Sequence, residues 1–103
     1  MKKLSGKEVR FLRGLGHHLQ PVVMVGKEEL SESLLATAEE ALACHELIKV
    51  KLQEGCDLDR HEVADTLSRA TNAAIAQVLG KTILLYRPAD PPVIQLPKGQ
   101  TRS

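Results

Sequence analysis

A candidate phosphate site lies at a predicted turn near residue 26. Lys27 follows Gly26 there, between a predicted strand and a predicted helix. A glycine lets a phosphate approach the backbone closely, and the free N–H groups at the start of a helix attract anions. A Gly-Lys pair is also found in ordinary turns, so the motif leaves both a phosphate site and a plain turn open.

Further basic residues lie on predicted strands and in their hairpin. Lys49 and Lys51 share one face of a strand over residues 47–52 and lie about 7 Å apart, which is close to the phosphate repeat of an extended nucleic acid. The exposed face of a half-buried sheet also favours lysine, so both interpretations stand. Lys81 lies at the tip of a predicted hairpin. Arg87 ends the second strand of that hairpin and could bind a phosphate or pair with a carboxylate.

The first predicted helix carries a basic stripe. Lys7, Arg10 and Arg13 recur every three residues, which places them together on the helix surface. His17 and His18 follow and could meet phosphates or sugar hydroxyls, bind a metal or act as acid–base catalysts. No acidic residue adjoins these histidines, and the cysteine and histidine spacing matches no zinc motif. We therefore predict no catalytic residue, no metal, no cofactor and no small-molecule substrate.

The charges of the chain are segregated, although its formal net charge is only +1. Residues 1–27 carry six basic residues and one acidic residue, whereas residues 28–46 carry six glutamates and no lysine or arginine. This asymmetry fits a basic surface that binds a polyanion, and it equally fits solvated surface charge. The aromatic residues Phe11 and Tyr86 are too few for a protein that stacks successive bases on several rings.

Hydrophobic periodicity and turn residues predict an α/β fold with the element order α-β-α-β-α-β-β. The first helix should begin at a capping box of Ser5 and Glu8 and end at Gly14 and Gly16. Each strand–helix–strand unit should be a right-handed parallel crossover, and a turn at Gly80 should join the last two strands as a hairpin. The expected product is a single compact domain, a mixed four-stranded sheet with packed helices.

The domain is expected over residues 1–88, followed by a proline-rich tail over residues 89–103. The tail is predicted to be extended or flexible, although Val93, Ile94 and Leu96 could dock on the domain. The sequence shows no signal peptide and no apolar run near the roughly 20 residues that span a bilayer. We therefore predict a cytoplasmic protein that contacts no membrane.

Four segments combine these motifs in order: LRGLGH at residues 12–17, PVVMVGK at 21–27, HELIKVK at 45–51 and VLGKTILLYRP at 78–88. Together they closely resemble the bacterial YhbY-like proteins, stand-alone forms of the CRM domain (chloroplast RNA splicing and ribosome maturation). The resemblance covers residues 4–88. It implies an RNA-binding domain similar to the C-terminal domain of bacterial translation initiation factor 3, without catalytic residues. It also implies association with precursors of the large ribosomal subunit.

The resemblance places the family's Gly-x-x-Gly loop, which is similar to the phosphate-clamping loop of the KH domain, on residues 26–29. Glu29 stands where the second glycine is expected, and its carboxylate would repel a phosphate. Glu28 and Glu29 would instead interact favourably with the start of the following helix. The clamp therefore carries over to Gly26 and Lys27.

We predict an RNA-binding protein, not an enzyme, that binds precursor ribosomal RNA of the large subunit and pre-large-subunit particles and assists ribosome assembly. The predicted RNA-binding residues are Gly26, Lys27, Lys49, Lys51, Lys81, Arg87, Arg10, Arg13 and His17. The alternative is a protein-interaction adaptor that uses the acidic helix of residues 31–45 to bind a basic partner.

Overall fold

The computed structural model describes residues 4–26, 30–89, 93, 94 and 96. Its elements are α1 (Gly6–Gly16), β1 (Pro21–Val25), α2 (Glu32–His45), β2 (Leu47–Leu52), α3 (Arg60–Thr71), β3 (Ala74–Leu79) and β4 (Thr82–Tyr86). The predicted element order and the α/β fold class are therefore confirmed. The similarity to the C-terminal domain of initiation factor 3 stays a prediction.

Local hydrogen bonds account for the start of α1. The Ser5 hydroxyl accepts from the Glu8 N–H at 3.2 Å, and the Glu8 carboxylate accepts from the Ser5 N–H at 2.9 Å, which confirms the capping box. The predicted end of the helix at Gly16 is confirmed, whereas Gly14 lies within the helix. The helix continues through Gly16, and the N–H of His17 donates to the carbonyl of Arg13 at 3.0 Å, so the backbone ladder passes Gly14.

The sheet has the strand order β1-β2-β4-β3. Strands β1 and β2 pair in parallel, as the first predicted crossover requires. Strand β4 lies between β2 and β3 and pairs with both in antiparallel fashion, so β2 and β3 run in the same direction without being neighbours. Gly80 has a φ of +58° in the β3–β4 turn, a conformation that glycine adopts at no steric cost.

The two faces of the sheet pack against different helices. On the first, here called the α2–α3 face, Val25, Val50 and Leu85 join a cluster with apolar side chains of α2 and α3. On the second, the α1 face, Leu12 of α1 packs in a cluster with Leu84 and its neighbours. The molecule is therefore a three-layer α/β/α sandwich whose core occupies both sides of the sheet.

The segment after β4 is held by the buried carboxylate of Glu46, between α2 and β2. This carboxylate accepts the N–H of Ala89 at 2.6 Å, that of Val93 at 2.9 Å and that of Ile94 at 2.6 Å. Ile94 and Leu96 pack against the cluster on the α1 face, whereas Val93 is exposed. Ile94 and Leu96 thus lie against the domain, and the boundary between domain and tail stays a prediction.

Candidate nucleic-acid interface

A cavity of about 560 Å³ opens between α1 and the sheet, and we call it the basic cleft. Arg10, Arg13 and His17 line it from the helix side, and Lys49 lines it from β2. No acidic side chain lines it among the described residues. Four of the predicted RNA-binding residues therefore meet at one concave, positively charged site.

Alternation along β2 positions the lysines of this site. Leu47 is buried under α1, Lys49 is half-buried at the cleft, and Lys51 is exposed one step further along the same face. Lys49 is registered opposite Leu84 of β4, and Lys51 opposite Thr82. The residues on this face of β2 therefore change from buried to exposed along the strand, because the strand extends beyond the part that α1 covers.

Gly16 brings the end of α1 onto the sheet. A Cβ at this position would lie 2.5 Å from Cδ1 of Leu84, which is itself 1% exposed. Only a residue without a side chain therefore fits this close approach without displacing Leu84. The contact holds the last turn of α1, with Arg13, across the cleft from Lys49.

The irregularity in β3 contributes a residue that sequence reasoning missed. The register with β4 shifts between Ile75 and Gln77. Ile75 and Val78 both pack against the α2–α3 face, whereas Ala76 packs on the α1 face and Gln77 lines the basic cleft. Two successive residues thus face the cleft side. No strong local signal marks this bulge, because alternation alone would place residue 77 beside Ile75.

Gly26 and Lys81 lie at the end of the sheet where the strands β1 and β2 terminate. A Cβ on Gly26 would lie 2.7 Å from Oε1 of Gln53, whose own N–H donates to the Val25 carbonyl at 2.8 Å. The N–H of Leu52 donates to the Lys81 carbonyl at 2.8 Å. Gly26 and the β3–β4 hairpin therefore lie at the same end of the sheet, on either side of β2. Lys27 lies outside the described residues, as do the two glutamates that follow it.

Lys81 does not line the basic cleft. It lines a second cavity of about 400 Å³, together with Arg60 and His61 at the start of α3. Arg60 Nη1 donates to the carbonyl of Gly80 at 3.1 Å and so ties the hairpin to that helix. Lys81 can therefore extend a binding surface beyond the cleft but does not complete it.

Arg87 lies just after β4, at the opposite end of the sheet, with its side chain directed to the helices α2 and α3. Its Nη1 atom lies 2.9 Å from Oε1 of Glu39 in α2 and donates to the carbonyl of Thr71 in α3 at 2.8 Å. The hydrogen bond from Arg87 holds the pKa of Glu39 below its ordinary value. Of the two roles considered for Arg87, the structure displays the pairing with a carboxylate.

The acidic helix α2 lies on the other side of the sheet from the basic cleft. Helix α2 packs on the α2–α3 face, so its glutamates are separated from Lys49 by the sheet itself. Glu39 and Glu46 have partners within the chain. The adaptor hypothesis stays a prediction, and Glu39, one of the glutamates of its helix, is already paired with Arg87.

The two histidines after α1 differ in position. Their rings meet edge-on with centroids 5.5 Å apart, and His17 is the one that lines the cleft. Within the part of the chain that the structure describes, no three side chains of the metal-ligating types His, Cys, Asp and Glu come together. None of the described helices is long and apolar enough to cross a membrane.

Known proteins similar to this chain share most of its length. It is 46% identical over 99 residues to a Haemophilus influenzae protein named "RNA-binding protein", covering 95% of this chain and 99% of that one. It is 39% identical over 84 residues to the Bacillus subtilis protein named "Probable RNA-binding protein YqeI", covering 82% and 88% of the two chains. The solution structure of SAV1595 from Staphylococcus aureus matches with a TM-score of 0.77 and 37% identity, covering 91% of this chain and 99% of that one.

The match to a protein family covers the same region as these relatives. The model of the CRS1/YhbY (CRM) domain matches residues 4–87, which include every described element from α1 to β4. The chain therefore belongs to the CRS1/YhbY (CRM) domain family.

Proposed function

We propose that this chain is an RNA-binding protein of the cytoplasm that binds precursor ribosomal RNA of the large subunit and assists assembly of that subunit. The observation that carries RNA binding is the basic cleft, where Arg10, Arg13, His17 and Lys49 converge and which no acidic side chain lines among the described residues. Family membership and the names of the relatives support it. The ribosomal target follows from the family resemblance. The proposal requires binding alone and no catalytic step.

Phosphate contacts and shape account for this binding better than base stacking does. Arginine donors fit phosphate oxygens in bidentate fashion, and each neutralised phosphate releases counterions. The aromatic supply is small: Tyr86 is buried, and Phe11 is exposed but does not line the cleft. Recognition of structured RNA through its backbone therefore fits a protein with several basic side chains and few accessible aromatic rings.

The proposed surface extends from the cleft along the open part of the α1 face. Lys51 continues the line of Lys49, and Lys81 lies at the adjoining hairpin. Gly26 and Lys27 belong to the surface through the family loop. Arg87 is proposed to support it indirectly, since its guanidinium joins α2 and α3 below the sheet.

Crosslinking in cells, followed by sequencing of the bound RNA, tests the proposal. We expect precursor RNA of the large subunit to be enriched with the wild-type protein and lost with Lys49→Glu. Purified Lys49→Glu should bind RNA more weakly and show a salt dependence reduced by about one phosphate contact.

Arg69→Glu is the matched control for this charge reversal. Arg69 is exposed on α3, where it pairs with Asp65 at 3.0 Å, so reversing it changes the net charge equally on the opposite side of the sheet. We expect this variant to recover the same RNA as the wild type. Equal RNA recovery and equal salt slopes for Lys49→Glu and the wild type would refute the assigned surface, and recovery of unrelated RNA would refute the ribosomal target.

A further inference from the structure

Gln77 is a half-buried amide in the basic cleft that the proposed phosphate contacts do not use. Within the described residues its side chain makes no hydrogen bond. A glutamine amide offers two N–H donors and a carbonyl acceptor, so it can pair with a donor and an acceptor at once. The cleft therefore contains a neutral amide that can recognise the hydrogen-bonding edge of a base, next to basic side chains that can bind phosphates.

The bulge in β3 is what directs Gln77 into the cleft. Strict alternation would place residue 77 on the same face as Ile75, among the apolar side chains of the α2–α3 face. An amide buried there without a partner would be costly, and the extra residue at Ala76 avoids this by shifting the register. Bulges of this kind re-aim side chains next to functional sites.

The register places Gln77 across the cleft from a cation. Lys49 of β2 and Gln77 of β3 are both registered opposite Leu84 of β4, so one row contains a lysine, a leucine and a glutamine. Two strand spacings separate the ends of this row by about 10 Å. The apolar Leu84 side chain forms the floor between a group that binds phosphate and a group that binds a base edge.

We propose that Gln77 reads the base of one unpaired RNA nucleotide that enters the basic cleft, while Arg10, Arg13 and Lys49 hold its phosphates. The inference rests on the proposed function and adds the kind of RNA element bound. A volume of 560 Å³ falls in the range of roughly 300–1,000 Å³ that is typical of small-molecule sites. The base is proposed to be unpaired, because a base stacked in a duplex cannot enter a concave cleft and its Watson–Crick edge is occupied by pairing.

The test selects RNA hairpins with a randomised unpaired loop against the wild-type protein and against Gln77→Met. Methionine keeps the length of the side chain and removes its hydrogen bonds. We expect the wild type to show a base preference at one loop position and Gln77→Met to lose it, with affinity for the selected hairpin falling about fivefold. The salt slope should stay unchanged, because no phosphate contact is removed.

Gln20→Met is the matched control, since Gln20 is exposed and lines a different cavity beside Leu15. It should keep the wild-type preference and affinity. Gln77→Glu is a second variant of the same shape, and its carboxylate can only accept hydrogen bonds. It should therefore shift the base preference toward a base that donates hydrogen bonds at the recognised edge. Thermal unfolding of each variant verifies that it is folded.

The outcomes separate the two proposals. If Lys49→Glu weakens binding and Gln77→Met keeps the same base preference, the reading role of Gln77 is wrong and the RNA-binding surface stands. Equal affinity of the wild type for the hairpin and for its fully paired duplex would also contradict the proposal that the bound nucleotide is unpaired. If the wild type binds neither RNA, the proposed function itself fails.

Discussion

The two faces of the sheet are covered to different extents. On the α2–α3 face, two helices seal the strands, and Val25, Val50, Ile83 and Leu85 are each 0% exposed. On the α1 face, one helix covers only part of the strands, and Lys51 lies on the part left open. The complete cover gives stability, and the partial cover leaves room for a ligand. One sheet thus divides the tasks of folding and binding between its faces.

The largest effect that tests this division is expected from Leu67→Ala. Leu67 is 0% exposed in α3 and belongs to the cluster on the α2–α3 face. Loss of its side chain leaves a cavity, so we expect the free energy of unfolding to fall by about 2–5 kcal/mol. Denaturant unfolding measures this change, and the RNA affinity of the folded variant should remain that of the wild type.

Leu79→Ala is the matched control for Leu67→Ala. Leu79 is 65% exposed and lines the basic cleft on the α1 face. We expect its truncation to change the free energy of unfolding by less than about 0.5 kcal/mol. Similar losses of stability in the two variants would contradict the division between the faces.

The next effect concerns Glu46, which holds the tail residue Ile94 against part of the α1 face. Burial by itself would raise the pKa of this carboxyl, but the N–H groups of Ala89, Val93 and Ile94 together outweigh it, so the pKa lies below its ordinary value of 4.5. In Glu46→Gln an NH₂ group replaces one acceptor and faces a donor. We expect the free energy of unfolding to fall by about 1–3 kcal/mol, measured against Glu40→Gln on the exposed side of α2.

The same carboxylate predicts a pH dependence of stability. Because folding lowers the pKa of Glu46, its contribution is fully present above the ordinary pKa and is lost as the pH falls through the lowered value. The stability difference between the wild type and Glu46→Gln should therefore be constant near neutral pH and shrink in acid. A difference that stays the same in acid would show that charge does not hold the tail.

The smallest effect distinguishes two glycines in the same helix. Gly14 has no atom within 4 Å of a Cβ placed on it, whereas a Cβ on Gly16 would lie 2.5 Å from Cδ1 of buried Leu84. Gly14→Ala should raise the free energy of unfolding by up to about 1 kcal/mol through helix propensity. Gly16→Ala should gain less or lose stability, because Leu84 must move. If thermal unfolding shows equal gains of stability for the two variants, the contact between α1 and the sheet at Gly16 is not tightly packed.

Much of the local structure follows from the sequence, because short-range contacts specify it. The Ser5–Glu8 capping box, the hairpin at Gly80 and the shared face of Lys49 and Lys51 all depend on residues a few positions apart. The convergence of the α1 stripe with Lys49 was not predictable in this way, since it depends on how closely Gly16 lets the helix approach Leu84.

The element order, the α/β class and the grouping of the basic residues therefore follow from the residue pattern along the chain. The folded molecule was needed to show that β4 separates β2 from β3, that Arg87 pairs with Glu39, that Glu46 binds the tail and that Gln77 faces the cleft. Each of these depends on partners distant in the chain or on a register shift. Strand order and bulges follow from the joint packing of both faces, which no local pattern encodes.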